Sequence, residues 1–226
     1  MTAINDEVWF NIEAIECLHK NFEVPEKSPN LTAIIKLFNK WQEWAAAQVL
    51  YQQAPNLRFE KAVLIIRLAY ELRKMNNFNS SFALYAGLNL PAVSRLDKLW
   101  SSLEKHKVHS KWLELKELYS TSGNHKNYQE ALRAAESPVI PYIGLYNKYL
   151  FTIEETNKNK TEDGLINFQK LRMLHKLTNE IKQYQKNKFE LSPDPQLVES
   201  LCKDLRLDCN ENTLYEISLK IKPREK

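Results

Sequence analysis

The residues most suggestive of chemistry are two adjacent carboxylates, Glu154 and Glu155, near the end of the stretch Pro138 to Asn157, PVIPYIGLYNKYLFTIEETN. The spacing predicts a helix over this stretch. Pro138 and Pro141 open it, and Pro141 suits a first-turn position, where its missing N–H has no intrahelical partner to lose. Tyr142, Leu145, Tyr149 and Ile153 recur at steps of three and four and make one apolar face. Lys148, Phe151 and Glu155 recur in the same way on another face, with Thr152 beside them. A phenyl ring between two charges is not what a solvated face requires. The helix macrodipole also disfavours carboxylates at a C-terminal end, so the Glu pair is misplaced for stability alone. An apolar tip beside such a carboxylate describes a face built to touch something.

The elements around this helix are helical throughout. Residues 6–20 read as a short helix, and Ser28-Pro29-Asn30 starts a long one near 31–53 with Leu31, Ile34, Ile35, Phe38 and Trp41 on one side. A helix near 57–75 spaces Phe59, Val63, Ile66 and Tyr70, and Asn76-Asn77 ends it. Residues 79–89 form a largely apolar helix expected deep in the core, and Pro91 opens a short helix to Trp100. Helices at 110–121 and 125–135 flank the turn Ser122-Gly123-Asn124. The polar run Thr156 to Asp163 suits a loop, and a helix near 166–186 then lines Phe168, Leu171, Leu174, Leu177, Ile181 and Tyr184 along one face. This helix and the one before it make an αα-hairpin, about 141–186, with its tip near Asn159. Short helices near 195–204 and 211–219 finish an all-α fold.

Composition narrows the function classes. Hydrophobic content of 43% with 27% charged residues is ordinary for a soluble globular protein. Only four glycines occur, and they are scattered, whereas a phosphate-cradling loop needs them clustered; direct nucleotide binding is not expected. The net charge of +4 is spread among interleaved acids and bases, not gathered into the stripe that nucleic acid requires. Cys17, Cys202 and Cys209 show no C-x-x-C spacing, and no apolar run approaches about eighteen residues. A reducing, cytoplasmic setting is expected. His106 and His109 lie three apart without a ligand pattern around them, so neither a metal nor a cofactor is expected.

The pattern P-x-x-P-[FY]-x-G-[LI]-Y followed by I-E-E resembles the wedge helix of the catalytic domain of Ras guanine-nucleotide exchange factors (RasGEFs). Other blocks follow in family order: Met1 to Leu18; Ser28-Pro29-Asn30 with Phe38-Asn39 and Trp44; and Met75 to Asn89 followed by Val93, Arg95-Leu96 and Trp100. Asn127-Tyr128-x-x-Ala131-Leu132, Gly164 to Gln185, and Leu214-Tyr215-Glu216 through Lys222-Pro223-Arg224 complete the set. Any one block is a thin signal; seven in order make coincidence a poor explanation. The resemblance implies a single RasGEF-like helical domain over residues 1–226 whose protruding hairpin enters a small GTPase and disturbs its magnesium and phosphate site. By position Phe151 matches the residue that excludes water from the metal, and Glu155 the carboxylate that takes over hydrogen bonds from phosphate. Glu154 and Lys148 accompany them.

Lys36, Asn76, Asn77, Asn79, Thr152 and Arg172 match or neighbour positions at which the family grips its GTPase, although Asn76 and Asn77 would serve equally as helix caps. The partner implied is a Ras-family GTPase. The lead-in Thr161 to Gly164 and Lys170-x-Arg172-Met173 resemble Ras-specific releasing factors, which favours Ras over Rap or Ral. Membrane association is expected only through the GTPase or regions outside this sequence. Thr156 and Asn147 depart from the pattern, where Gly and an apolar residue are common. No segment resembles the upstream helical Ras-exchanger-motif domain that braces the hairpin in many relatives, which suggests an excised catalytic module or a minimal protein. Two functions follow: a catalyst of nucleotide exchange that does no covalent chemistry, or a scaffold that binds the GTPase without speeding exchange.

Overall fold

The computed structural model describes residues 1–205 and 209–224, and among these the chain forms α-helices and short 3-10 turns with no β-strand. The first helix, α1 (Thr2–Phe10), is shorter than the sequence suggests. The continuous helix expected over 6–20 is instead α1 followed by 3-10 turns at Ala14–Cys17 and Asn21–Glu23. Glu13 and Glu16 form a reciprocal capping box that restarts the chain, and His19 and Lys20 then adopt left-handed backbone (φ 55° and 59°), which no helix continues. Glu16 is 2% exposed; its carboxylate accepts the N–H groups of Asn30 and Leu31, both at 2.9 Å. That carboxylate caps the next helix, where its charge and the helix dipole agree.

The helix so capped is α2 (Pro29–Leu50), and α3 (Pro55–Lys74) returns beside it. The apolar α4 (Phe78–Asn89) packs on both and lies in the core, as its composition implies. The α2–α4 approach is close: a Cβ on Gly87 would stand 2.3 Å from the carbonyl oxygen of Gln42 and 2.8 Å from the Cβ of Ala45. Pro91 begins α5 (Pro91–Ser94), and the helix expected to run on to Trp100 breaks at Arg95 and resumes as α6 (Asp97–Glu104). Arg95 leaves the helix to donate to the carbonyls of Ser218 and Lys222 at 3.0 and 2.6 Å. These carbonyls belong to the end of α12 (Glu211–Ile221), which α11 (Pro195–Leu205) precedes. Between them and α6 in sequence come α7 (His109–Leu118) and α8 (Ser122–Ala134), whose first turn holds left-handed backbone at Gly123, Asn124 and His125. No helix among the described residues is long and apolar enough to cross a membrane.

The hairpin consists of α9 (Ile143–Thr156) and α10 (Phe168–Tyr184). It is antiparallel: the Tyr146 hydroxyl donates to Glu180 at 2.9 Å near the base, and Lys170 donates to Glu154 at 2.5 Å near the tip. Pro141 does not sit in the first turn as the spacing suggested. Residues 139–142 lie outside the helix, with Ile140 bridging Asn77, and the helix starts at Ile143 after Tyr142 in extended conformation. The tip is a tight turn at Thr161–Gly164, where Gly164 has φ 79°, so it lies beyond Asn159. Phe168 and Leu171, expected on the buried face of α10, are 64% and 44% exposed. Lys170 takes the inward place, since Glu154 and the Asn159 side chain (2.7 Å) both accept from its ammonium.

The hairpin rests on the N-terminal segment. Trp9, Ile12, Cys17 and Phe22 pack against Ile143, Tyr146, Leu150, Leu174, Leu177 and Ile181 in one cluster. Gln185 donates to the carbonyls of Trp9 and Ile12 at 2.7 and 3.0 Å.

Two stability outcomes follow from this packing. Gly87→Ala should cost about 1–3 kcal/mol in urea unfolding, because backbone cannot retreat from the new methyl as a side chain can. Glu154→Ala leaves the Lys170 ammonium buried without its carboxylate and should cost about 3–5 kcal/mol. Glu154→Leu combined with Lys170→Met should restore most of that loss, and hydrogen exchange of the α9 amides should report the loss and the recovery.

Candidate functional site

Helix α9 has three sides, and each meets a different environment. Ile143, Tyr146, Leu150 and Glu154 face the hairpin partner α10 and the N-terminal segment. Tyr142, Leu145 and Tyr149 pack towards the α2–α4–α8 body. Lys148, Phe151, Thr152 and Glu155 are exposed together on the third side, and Phe151 is 52% exposed.

The base of α9 is fixed by residues brought from far away in sequence. The N–H of Tyr142 donates to the Tyr128 hydroxyl at 2.7 Å, and that of Ile143 donates to the Asn79 side-chain oxygen at 3.3 Å. These are groups that a helix start leaves without intrahelical partners. The Tyr128 hydroxyl lies in a fully buried ring, and burial pushes its pKa well up, so it stays a neutral acceptor. The Tyr142 ring packs edge-on against Phe82 with centroids 4.5 Å apart and lies tilted against Phe38 at 5.1 Å. Gly144 gives that ring room: a Cβ there would stand 2.3 Å from the Tyr142 hydroxyl. On the α8 side, Asn124 and Gln129 both donate to the Tyr149 hydroxyl, at 3.3 and 3.0 Å.

This arrangement redistributes the residues expected at the site. Asn77 and Asn79 are fully buried, so neither side chain is open to a partner. Asn77 instead caps α4, its oxygen accepting from the Ser80 N–H at 3.0 Å while its amide donates to Thr2. Asn76 closes α3: it has φ 59°, and its N–H and that of Asn77 donate to the carbonyls of Arg73 and Leu72. Asn76 also donates from its side chain to the Glu136 carbonyl at 2.7 Å, which ties the lead-in of α9 to the end of α3. Glu154 is likewise turned away from the exposed side; its side chain is 6% exposed. It follows Leu150 by four and Tyr146 by eight, and the helical repeat places it with them.

Lys36 is exposed on α2. Arg172 is exposed on α10, where its guanidinium lies 5.3 Å from the Phe168 ring. The Thr152 hydroxyl donates to the Lys148 carbonyl one turn back, at 2.8 Å.

Glu155 has one partner that the sequence did not announce. Lys20, 135 residues earlier, donates to its Oε1 at 2.5 Å. That hydrogen bond, and then the positive charge itself, hold the Glu155 carboxyl below the usual carboxylate range, and Glu155 raises the Lys20 pKa in return. No local pattern marks Lys20. Lys170 did leave a signal, a lysine on the same helical stripe as Leu174, Leu177 and Ile181.

The site is an exposed face and not a cleft. Phe151 offers an exposed apolar ring, Glu155 a carboxylate bonded through one oxygen, and Lys148 and Thr152 a polar margin. Among the described residues no group of three His, Cys, Asp or Glu is placed to hold a metal ion.

Comparison with known proteins shows the family. The family model described as the RasGEF domain matches residues 1–172. The chain is 32% identical, over its full length, to Ras guanine nucleotide exchange factor D of Dictyostelium discoideum, of which it covers 34%. It is 32% identical over 99% of its length to Ras guanine nucleotide exchange factor K of the same organism, covering 14% of that protein. Over 88% of its length it is 32% identical to mouse Ras-specific guanine nucleotide-releasing factor 1, covering 16% of it. The chain thus spans about a third or less of the length of these relatives. Its sequence blocks, its all-helical architecture and these matches agree: the chain belongs to the RasGEF domain family.

Proposed function

We propose that this chain promotes guanine-nucleotide exchange on a Ras-subfamily small GTPase by inserting the exposed side of α9 into the nucleotide site. The observation that carries this reading is the placement of Phe151 and Glu155 on the one side of α9 that neither the hairpin nor the helical body covers. Bound nucleotide is held by a magnesium ion and by phosphate oxygens on backbone N–H groups and a helix N-terminus. Phe151 takes the space in which the metal keeps its water, and Glu155 accepts the hydrogen bonds that the phosphates give up. Both act by stabilising the nucleotide-free GTPase, and no covalent bond is made or broken. Lys148, Thr152 and Arg172 border this contact, and Lys36 and Asn76 extend it across the helical body. Asn77, Asn79 and Glu154 serve it by fixing α9, each from a buried position.

An acceleration of 10⁴–10⁵-fold corresponds to roughly 5–7 kcal/mol. Two side chains do not supply that, so the wedge must work with a broad interface over the helical body. Ras is the favoured partner over Rap and Ral, on the likeness of residues 161–173 to Ras-specific releasing factors.

The test is release of a fluorescent GDP analogue from Ras, Rap and Ral in excess GTP, with and without the protein. Faster release from Ras is expected. Phe151→Ala and Glu155→Ala should each slow the catalysed release by roughly tenfold or more, with circular dichroism unchanged because both side chains are exposed. Tight binding to nucleotide-free GTPase with no faster release would make the chain a scaffold. An unchanged rate in the double variant would remove the wedge mechanism.

A further inference from the structure

We infer that Lys20 is a positioning residue for exchange: its ammonium holds the Glu155 carboxylate in place through one oxygen and leaves the other for the GTPase. The inference rests on the reading of Glu155 given above.

Glu155 lies in the last turn of α9, where the helix dipole repels a carboxylate. Its neighbour Glu154 has a cation of its own inside the hairpin, but Glu155 points outward and has none on α9 or α10 within hydrogen-bonding distance. Lys20 comes from a different part of the chain and meets Oε1 at 2.5 Å, and among the described residues Oε2 makes no hydrogen bond. A carboxylate accepts at both oxygens, so the contact fixes the group without using it up.

The backbone presents Lys20 deliberately. Left-handed residues are uncommon outside glycine, and here two stand together, His19 and Lys20, with φ 55° and 59°. The turn they make is anchored on either side by the buried Cys17 and Phe22, which pack under the hairpin. The Asn21 side chain donates to the Ile15 carbonyl at 2.9 Å and closes the turn on itself. Lys20 is thus carried on a fixed support beside the exposed face of α9.

Two explanations compete, a structural tie and a positioning contact, and exposure separates them. The side chains are 45% and 48% exposed, and ion pairs in such settings add little to stability. The hairpin is already held by its apolar base, by Gln185 and by the buried Glu154–Lys170 pair. What the Lys20 contact changes is the freedom of the Glu155 side chain: an acceptor already in place loses less on meeting its partner than one that must be ordered first.

The experiment measures exchange on the responding GTPase across a range of GTPase concentrations. It compares the full 226-residue chain with Lys20→Met, Lys20→Arg, Glu155→Gln and the double variant Lys20→Met/Glu155→Gln. Lys20→Met should lower the maximal rate by about fivefold or more, with a smaller change in the half-saturating GTPase concentration and an unchanged melting temperature. Lys20→Arg should recover most of the rate. In the Glu155→Gln background Lys20→Met should have no further effect, because the group it positions is gone. A full rate in Lys20→Met beside a slow Glu155→Gln would overturn the positioning role and leave the proposed function standing. So would additive losses in the double variant, or a faster rate in Lys20→Met, which would make Lys20 a block. A full rate in Glu155→Gln would overturn both.

Discussion

A helix that must leave one side bare has to be held firmly by the other two, and the structure depends on how α9 meets that demand. The start of the helix is the critical point. Its leading N–H groups would be costly to bury unpaired, and the chain satisfies them with Tyr128 from α8 and Asn79 from α4. The α3–α4 corner, Asn76-Asn77, is built around the same junction through its bridge to Ile140. Asn77 and Asn79, which look like part of an interaction surface, are thereby committed to the interior. Their role is to fix where the exposed face lies and at what angle.

The second support is the hairpin interface, and it uses charge where an apolar pair would be the simpler choice. Lys170 and Glu154 are both nearly inaccessible, and Asn159 supplies a further acceptor. Burying two charges sets a large desolvation cost against their attraction, so a pair of this kind is poor evidence for stability by itself. It does restrict register: a one-turn slip of α10 along α9 would leave both charges unpaired among apolar side chains. The same turn of α9 carries Glu155 outward, so two adjacent carboxylates differ in environment as far as a helix allows.

How much of this was legible in the sequence depends on the range of the interactions. The long helices α2, α3, α4 and α10 follow from periodicity and from Asn and Pro punctuation, because those signals are local. The exposed Phe151 and Glu155 were visible as a face with mismatched chemistry. The third side of α9, with Ile143, Tyr146, Leu150 and Glu154, was not separated from the first, because two adjacent apolar stripes blur into one at a 3.6-residue repeat. The burial of Asn77 and Asn79 was also hidden, since an asparagine that caps a helix and one that meets a partner have the same local surroundings. The Lys20–Glu155 contact leaves no trace in either segment alone; it exists only once Cys17 and Phe22 have docked under the hairpin.

That docking orders events during folding. Gln185 bonds to carbonyls of Trp9 and Ile12 that precede it by more than 170 residues. The hairpin side of the N-terminal segment therefore waits for α10, although α1 packs on α2 and Glu16 caps it from much nearer in sequence. Contacts of such wide separation carry a loop-closure cost and form late. Until then the sides of Trp9, Ile12 and Phe22 that meet α9 and α10 remain uncovered, while the α2–α4 body, made of closer neighbours, is free to assemble. The seam between the N-terminal segment and the hairpin is thus the last part of the fold to close.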